Sequence, residues 1–226
     1  MLERMDEFFA ARLDGYDAHM LCNIEGAREF YPATAAQLPL SAHTELLDLG
    51  CGTGLELEAY FARRDREAPK SRPHVTGIDL CEPMLRRLRE KFPQEDITLI
   101  HGSYLEEDLG ESCYDAAVSV ESFHHFTAQQ KSALYRRVCR ALRPGGYLIL
   151  TDYVAADERQ EILFREQLMQ RIEEQGEAGE IPYHFDTPLT VEHEKEALLQ
   201  GGFSRVEILA RWEQTVLLRA EKTDNK

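Results

Sequence analysis

No stretch of this 226-residue chain stays apolar long enough to cross a bilayer. Its opening, MLERMDEFF, has neither the basic start nor the apolar middle of a secretory leader, so a cytoplasmic protein without a membrane partner is expected. Cysteine is sparse and unpaired. Cys22, Cys51, Cys81, Cys113 and Cys139 make an odd number with no CxxC spacing, which predicts free thiols and excludes a disulfide scaffold or a thiolate zinc site. Basic charge is also short: 26 Lys and Arg stand against 41 Asp and Glu, a formal charge of −15. That balance lacks the broad cationic face a nucleic acid requires and favours a neutral or cationic small-molecule substrate. The local basic clusters, Arg63 with Arg64 and Arg86, Arg87 with Arg89, read as solvated helix faces. There is no internal repeat, and the length fits a single domain over residues 1–226, as monomer or homodimer.

What is present centres on Leu46 to Tyr60, LLDLGCGTGLELEAY. Glu45 to Leu49 has the length and apolar content of a buried strand. Gly50, Gly52 and Gly54 then alternate with Cys51 and Thr53, and a helical pattern starts at Leu55. Glycines let a ligand lie directly against main-chain atoms, and a helix N-terminus offers unpaired N–H groups. A second strand, Val75 to Leu80, carries Asp79 at its end, where an acid can accept both hydroxyls of a ribose. The loop is GxGxG, not the GxGxxG of dinucleotide binders. Asp48, inside the first strand, would repel a pyrophosphate but suits a positive group, which disfavours a dehydrogenase.

Further along, Met5, Phe8, Phe9 and Leu13 predict an amphipathic helix. A second short helix spans His19 to Phe30 and is expected to break at Pro32. Ala62 to Pro73 reads as an exposed connection. Strands are predicted at Ile97–Ile100, Ala116–Val120 and Tyr147–Tyr153, and a helix from Thr127 to Ala141. Asp157 to Gly176 is helical, with Ile162, Leu163, Phe164, Leu168 and Ile172 on an apolar face. Gly176 to Pro188 is irregular. A helix over Val191–Leu199 and a hairpin, Arg205–Arg211 with Thr215–Arg219, close the chain. Alternating strands and helices predict an α/β fold: a mostly parallel sheet covered on both faces, with ligand beyond the carboxyl ends of the strands.

Four segments in this order, DLGCGTG from Asp48, GIDLCEPML from Gly77, YDAAVSVESFHHF from Tyr114 and LRPGGYLILTD from Leu142, resemble the motifs of the class I S-adenosylmethionine (SAM) dependent methyltransferases. The resemblance covers Leu46 to Asp152 and implies a Rossmann-like, seven-stranded sheet with one antiparallel strand. It implies SAM as cofactor, S-adenosylhomocysteine as product and methyl transfer to a small-molecule acceptor. It also implies that residues 1–40 form a helical cap over the cofactor, with Tyr16 in that cover, and that residues 155–188 form a substrate-side lid. Asp48 is then expected to hold the methionine ammonium, and the backbone at Gly50, Cys51, Gly52 and Gly54 to line the methionyl and ribose portion. Asp79 would take the ribose hydroxyls, with Leu80 and Met84 against the adenine. Ser103 stands where many relatives carry an adenine-binding acid, so Ser103 or Tyr104 would serve there. Ser119, Val120 and Glu121 would face the methyl.

Methyl transfer is an in-line displacement, so alignment and exclusion of water carry most of the acceleration, and a general base is needed only if the acceptor must lose a proton. His124, Tyr153, Tyr183 and His184 are the candidates for the acceptor side. Glu121, His124 and His125 hint at a metal, but a third well-spaced partner is missing from the sequence, and no metal is expected. Two rivals stand beside the methyltransferase: a SAM-binding module without transfer, and a tRNA-modification enzyme. The tail LTVEHEKEALLQGGF from Leu189 resembles that of the carboxy-SAM synthases, but Ala197 falls where those enzymes place an arginine for the extra carboxylate.

Overall fold

Parallel strands can be joined only by crossovers, and helical crossovers cover both faces of the sheet they connect. The computed structural model has this arrangement and describes residues 2–175 and 183–223. Three helices, α1 (Met5–Arg12), α2 (Tyr16–Asn23) and α3 (Ala27–Ala36), precede the sheet. Then follow β1 (Glu45–Leu49), α4 (Leu55–Glu67), β2 (His74–Asp79), α5 (Glu82–Lys91), β3 (Ile97–His101) and β4 (Tyr114–Val120). The chain continues through α6 (Ala128–Ala141), β5 (Leu142–Tyr153), α7 (Glu158–Gln175), α8 (Val191–Gln200), β6 (Arg205–Trp212) and β7 (Thr215–Glu221). The strand order is β3-β2-β1-β4-β5-β7-β6, and β7 alone runs antiparallel to its neighbours. Chain direction across the sheet reverses between β1 and β4, so the loops leaving those strands diverge and open a crevice at their carboxyl ends.

Strand alternation decides which helix each residue meets. Leu47 and Leu49 of β1 join Leu148 and Leu150 of β5 under α6 and α8. Leu46, Val118 and Ile149 point the other way, onto Phe30 of α3, Tyr60 of α4 and Leu88 of α5. Helices α6 and α8 are also joined by a fully buried ion pair, Lys131 Nζ to Glu194 Oε2 at 2.5 Å, with the Tyr135 hydroxyl donating to the same carboxylate. Thr127 caps α6 in a reciprocal capping box with Gln130.

Several expectations shift. Pro32 lies inside α3 instead of ending a helix; the break falls at Gly26, left-handed at φ 76°, where a Cβ would come within 2.5 Å of Trp212. Helix α4 extends to Glu67, shortening the exposed connection. β5 begins at Leu142, and a register shift against β4 between Tyr114 and Ala116 accommodates Pro144. The basic clusters are largely paired: Arg64 is buried against Glu95, Arg63 binds Glu67 and the Ala35 and Leu38 carbonyls, and Arg87 meets Glu90 and Asp14. Helix α7 buries none of its described residues; Leu163 and Met169 are 52% and 63% exposed. The start of the expected irregular segment, residues 176–182, lies outside the described residues. No helix among the described residues is long and apolar enough to cross a membrane.

Candidate active site

The turn after β1 is left-handed at Gly50, Gly52 and Gly54, with φ of 78°, 46° and 75°. These three glycines do different jobs. A Cβ on Gly50 would strike the Ser122 hydroxyl at 2.3 Å, and one on Gly54 would press on Leu88 and Phe92 at 3.1 Å. A Cβ on Gly52 would meet no protein atom within 4 Å, because it would point into the open crevice. On the Cβ side, only Gly52 of the three keeps space clear for a ligand, while Gly54 faces the packing of α4 on α5. Asp79 stands opposite: its carboxylate accepts the Gly52 N–H at 2.9 Å and the Cys81 N–H at 2.7 Å, which fixes its orientation at the cleft.

Below the turn, Asp48 is 1% exposed and neither of its oxygens has a hydrogen-bond partner. Glu56, in the first turn of α4, is buried beside it with Oε1 also unpartnered. Burial, and next the charge of Glu56, push Asp48 well above the usual carboxylate range, and burial raises Glu56 to about 7. Two desolvated carboxyls without a donor form a receptor for a cation. An ammonium group reaching the pair would neutralise it; neither carboxyl itself lines the crevice, and Glu56 was not legible as part of the pair.

The crevice is lined by Gly50, Gly52, Asp79, Leu80, Met84, Ser103, Tyr104, Val120 and Glu121, as expected, and by Ser122 and His125, which were not foreseen. Tyr104 donates or accepts a hydrogen bond with Ser122 at 2.7 Å. The side chains of Cys51 and Ser119 do not line the crevice: the Cys51 thiol is buried against Gly77, and the Ser119 hydroxyl donates to the Leu49 carbonyl at 2.7 Å, stitching β4 to β1. Side-chain alternation along β4 turns Ser119 inward, so it does not reach the cleft. The roof comes from the N-terminal helices through Met5, Asp6, Phe9 and Tyr16. Asp17 ties that roof down, accepting from Thr53 at 2.5 Å and pairing with Lys91 at 2.6 Å. Burial, and then the surrounding acids, keep the Tyr16 phenol neutral.

A second, wider cavity of about 960 Å³ adjoins the first. Phe9, Tyr16, Glu121 and His125 line both. Its walls are α1, α2, the β4 and β5 ends and the β6–β7 turn, including Trp212, while α7 supplies no residue. His124, Tyr153 and His184 face it. His184 stacks on Phe8 at 3.5 Å between ring centres. Tyr183 lines neither cavity; its backbone bridges to Arg4.

The polar end of this cavity is concentrated. Nδ1 of His124 lies 2.7 Å from Asp152 Oδ1, and its Nε2 is 3.8 Å from Asp186 Oδ1. Burial would lower the His124 pKa, but the charge and hydrogen bond of Asp152, with Glu121 and Asp186, outweigh it and raise it to about 9. Burial, and then the His124 charge, lower His125 to about 4. Burial lifts Glu121 to about 7; its backbone is left-handed at φ 49°, and its Oε1 accepts from Thr215 at 2.9 Å. Two donor trios share His124: His124 and His125 with Asp186, and Glu121 and His124 with Asp152, the aspartates being brought in from the segment after residue 182 and from β5.

The family model described as a methyltransferase domain matches residues 46–146. An uncharacterised methyltransferase of Mycobacterium tuberculosis is 34% identical over 124 residues, 55% of this chain and 57% of that protein, so the match spans about half of that relative's length. A carboxy-S-adenosyl-L-methionine synthase of Wolinella succinogenes is 28% identical over 197 residues, 77% of this chain and 75% of that one. Among solved structures, a putative O-methyltransferase from Nostoc punctiforme superposes with a TM-score of 0.68 at 17% identity, covering 98% of this chain and 62% of that one. That likeness speaks to the fold.

Proposed function

From the match of residues 46–146 to a methyltransferase domain we propose that the protein is a class I methyltransferase that transfers a methyl group from SAM to a small-molecule acceptor. The observation that carries this reading is the junction of the two cavities at Phe9, Tyr16, Glu121 and His125, which gives a cofactor cleft a neighbouring room for an acceptor. When bound, SAM supplies an electrophilic methyl on a sulfonium. Asp48 and Glu56 hold its ammonium, Asp79 its ribose hydroxyls, and Leu80 and Met84 flank its adenine. Phe9 and Tyr16 close the roof and exclude water, so that approach geometry does most of the work.

On the acceptor side His124 is oriented by Asp152 through Nδ1 and turns Nε2 toward the space for an acceptor oxygen or nitrogen. Glu121, with its raised pKa, is the group best suited to accept a proton from that acceptor at neutral pH. Tyr153 and His184 shape the wall. The cavity is closed by α1, α2 and the β6–β7 turn, and the acidic surroundings support a neutral or cationic acceptor. Incubation with SAM and a panel of amines, phenols and thiols, read as S-adenosylhomocysteine formed, tests this. Tight SAM binding with no turnover on any acceptor would leave a SAM-binding module.

The longer match to the carboxy-SAM synthase supports a second reading, in which the chain converts SAM itself and serves tRNA modification. Against it, Ala197 is 5% exposed in the apolar core under α8, away from both cavities. Mass spectrometry of nucleosides released from the purified protein separates the two: carboxy-SAM would favour the synthase.

A further inference from the structure

We propose that His124 Nε2, His125 Nδ1 and an Asp186 oxygen bind one divalent transition-metal ion, with Asp152 orienting His124 from behind. Four observations support the site. First, the three donor atoms converge: His125 Nδ1 is 3.1 Å and His124 Nε2 3.8 Å from Asp186 Oδ1. Ligands about 2.0–2.2 Å from a common ion lie roughly 3.0–3.4 Å apart, so the cluster needs only a small closure. Second, His125 Nδ1 is buried, its side chain 4% exposed, and has no hydrogen-bond partner. It approaches Asp186 closely, but a proton on it would not point at the oxygen. A lone pair aimed at a shared ion explains the closeness and the misalignment together.

Third, His124 already has the support that a ligating imidazole uses. Asp152 Oδ1 sits 2.7 Å from Nδ1 and fixes the tautomer that leaves Nε2 free to bind metal. Fourth, the frame is set by the backbone. His124 and His125 share one short turn, and the Thr187 N–H donates to the His124 carbonyl at 2.6 Å, which docks the Asp186 segment on that turn. Two imidazoles and one carboxylate suit Zn²⁺, Co²⁺, Fe²⁺ or Mn²⁺ better than Mg²⁺ or Ca²⁺. The Asp186 side chain is 40% exposed toward the 960 Å³ cavity, so the remaining coordination positions face the room assigned to the acceptor. If the reading as a methyltransferase holds, an acceptor oxygen or nitrogen would replace water there.

The experiment uses the full-length protein stripped with chelator and titrated with Co²⁺, followed by its visible absorption, with bound metal counted after dialysis. One equivalent is expected. His125→Ala and Asp186→Asn should each lower Co²⁺ affinity at least tenfold. Asp152→Asn should lower it about 10- to 100-fold, as loss of a partner that orients a ligand does. Calorimetric SAM affinity of Asp186→Asn should stay within twofold of the unaltered protein, so failure of the metal site and failure of SAM binding are read separately. No stoichiometric uptake of Co²⁺ or Zn²⁺, or uptake that survives in the double variant His125→Ala with Asp186→Asn, overturns the proposal. Competition of a simple alkylamine for the same residues without metal uptake would also overturn it and make the cluster an ammonium site.

Discussion

The cofactor cleft takes its floor and side walls from one continuous stretch, the turns after β1, β2, β3 and β4 between Gly50 and Phe126, with only its roof coming from α1 and Tyr16. The wider cavity, proposed for the acceptor, draws on α1, α2, the turn after β4, the end of β5, the segment at His184 and the β6–β7 turn. In the first region each side chain's position follows from its own strand and turn. In the second, position depends on how distant segments pack, so neighbours in space are far apart in sequence. Substitutions that affect one region and spare the other measure how separate they are.

The largest effect is expected at Gly52. In Gly52→Val the side chain enters the cleft, and a β-branched residue must adopt φ 46°, a strain on the order of 1–2 kcal/mol. SAM affinity should fall by at least a hundredfold while far-UV circular dichroism stays native. Retained SAM binding would mean that the turn is not a ligand surface.

Asp79→Ala comes next. It removes the proposed ribose acceptor and strands two N–H donors, Gly52 and Cys81. SAM binding should weaken by about 1.5–3 kcal/mol, the scale of hydrogen bonds to a charged group. Calorimetry showing unchanged affinity would remove Asp79 from the cofactor site. Both residues were legible in sequence because a glycine turn and a strand-end acid are local signals. For Cys51, Ser119 and Gly54 sequence gives the place in the motif, but side-chain direction and helix packing decide what each touches beyond its main chain. Asp152, Asp186 and Trp212 gave no signal, since only the sheet order and the docking of the 183–187 segment bring them to His124 and the cavity. The apolar pattern of α7 was legible as a helix, but its exposure was not, because pattern reports periodicity and not the presence of a partner.

A smaller effect tests the acceptor side alone. Trp212 packs against Phe30 and closes the cavity beside Gly26. Trp212→Ala should raise the acceptor KM roughly tenfold, about 1.4 kcal/mol, with SAM affinity unchanged. Steady-state kinetics at saturating SAM measures it. An equal loss in SAM affinity would show that the two cavities act as one unit.

The smallest effect concerns Glu56 and separates empty from occupied cleft. Its folded pKa of about 7 lies above the ordinary 4.5 because burial disfavours its charge. Between those values the folded protein keeps a proton that the unfolded chain has released, so the empty protein loses stability as pH rises through that window. After the share held by Asp48 is discounted, the loss is on the order of 1 kcal/mol. The same ionisation prepares the pair for an ammonium, so SAM affinity should rise across the window in which empty-state stability falls. Glu56→Gln stays neutral. Its melting temperature should change less between pH 5 and pH 8 than that of the unaltered protein, and its SAM affinity should be several-fold weaker at pH 8 with a flatter pH dependence. Parallel pH slopes for both proteins, in melting and in calorimetric titration, would mean that Asp48 receives the ammonium without Glu56.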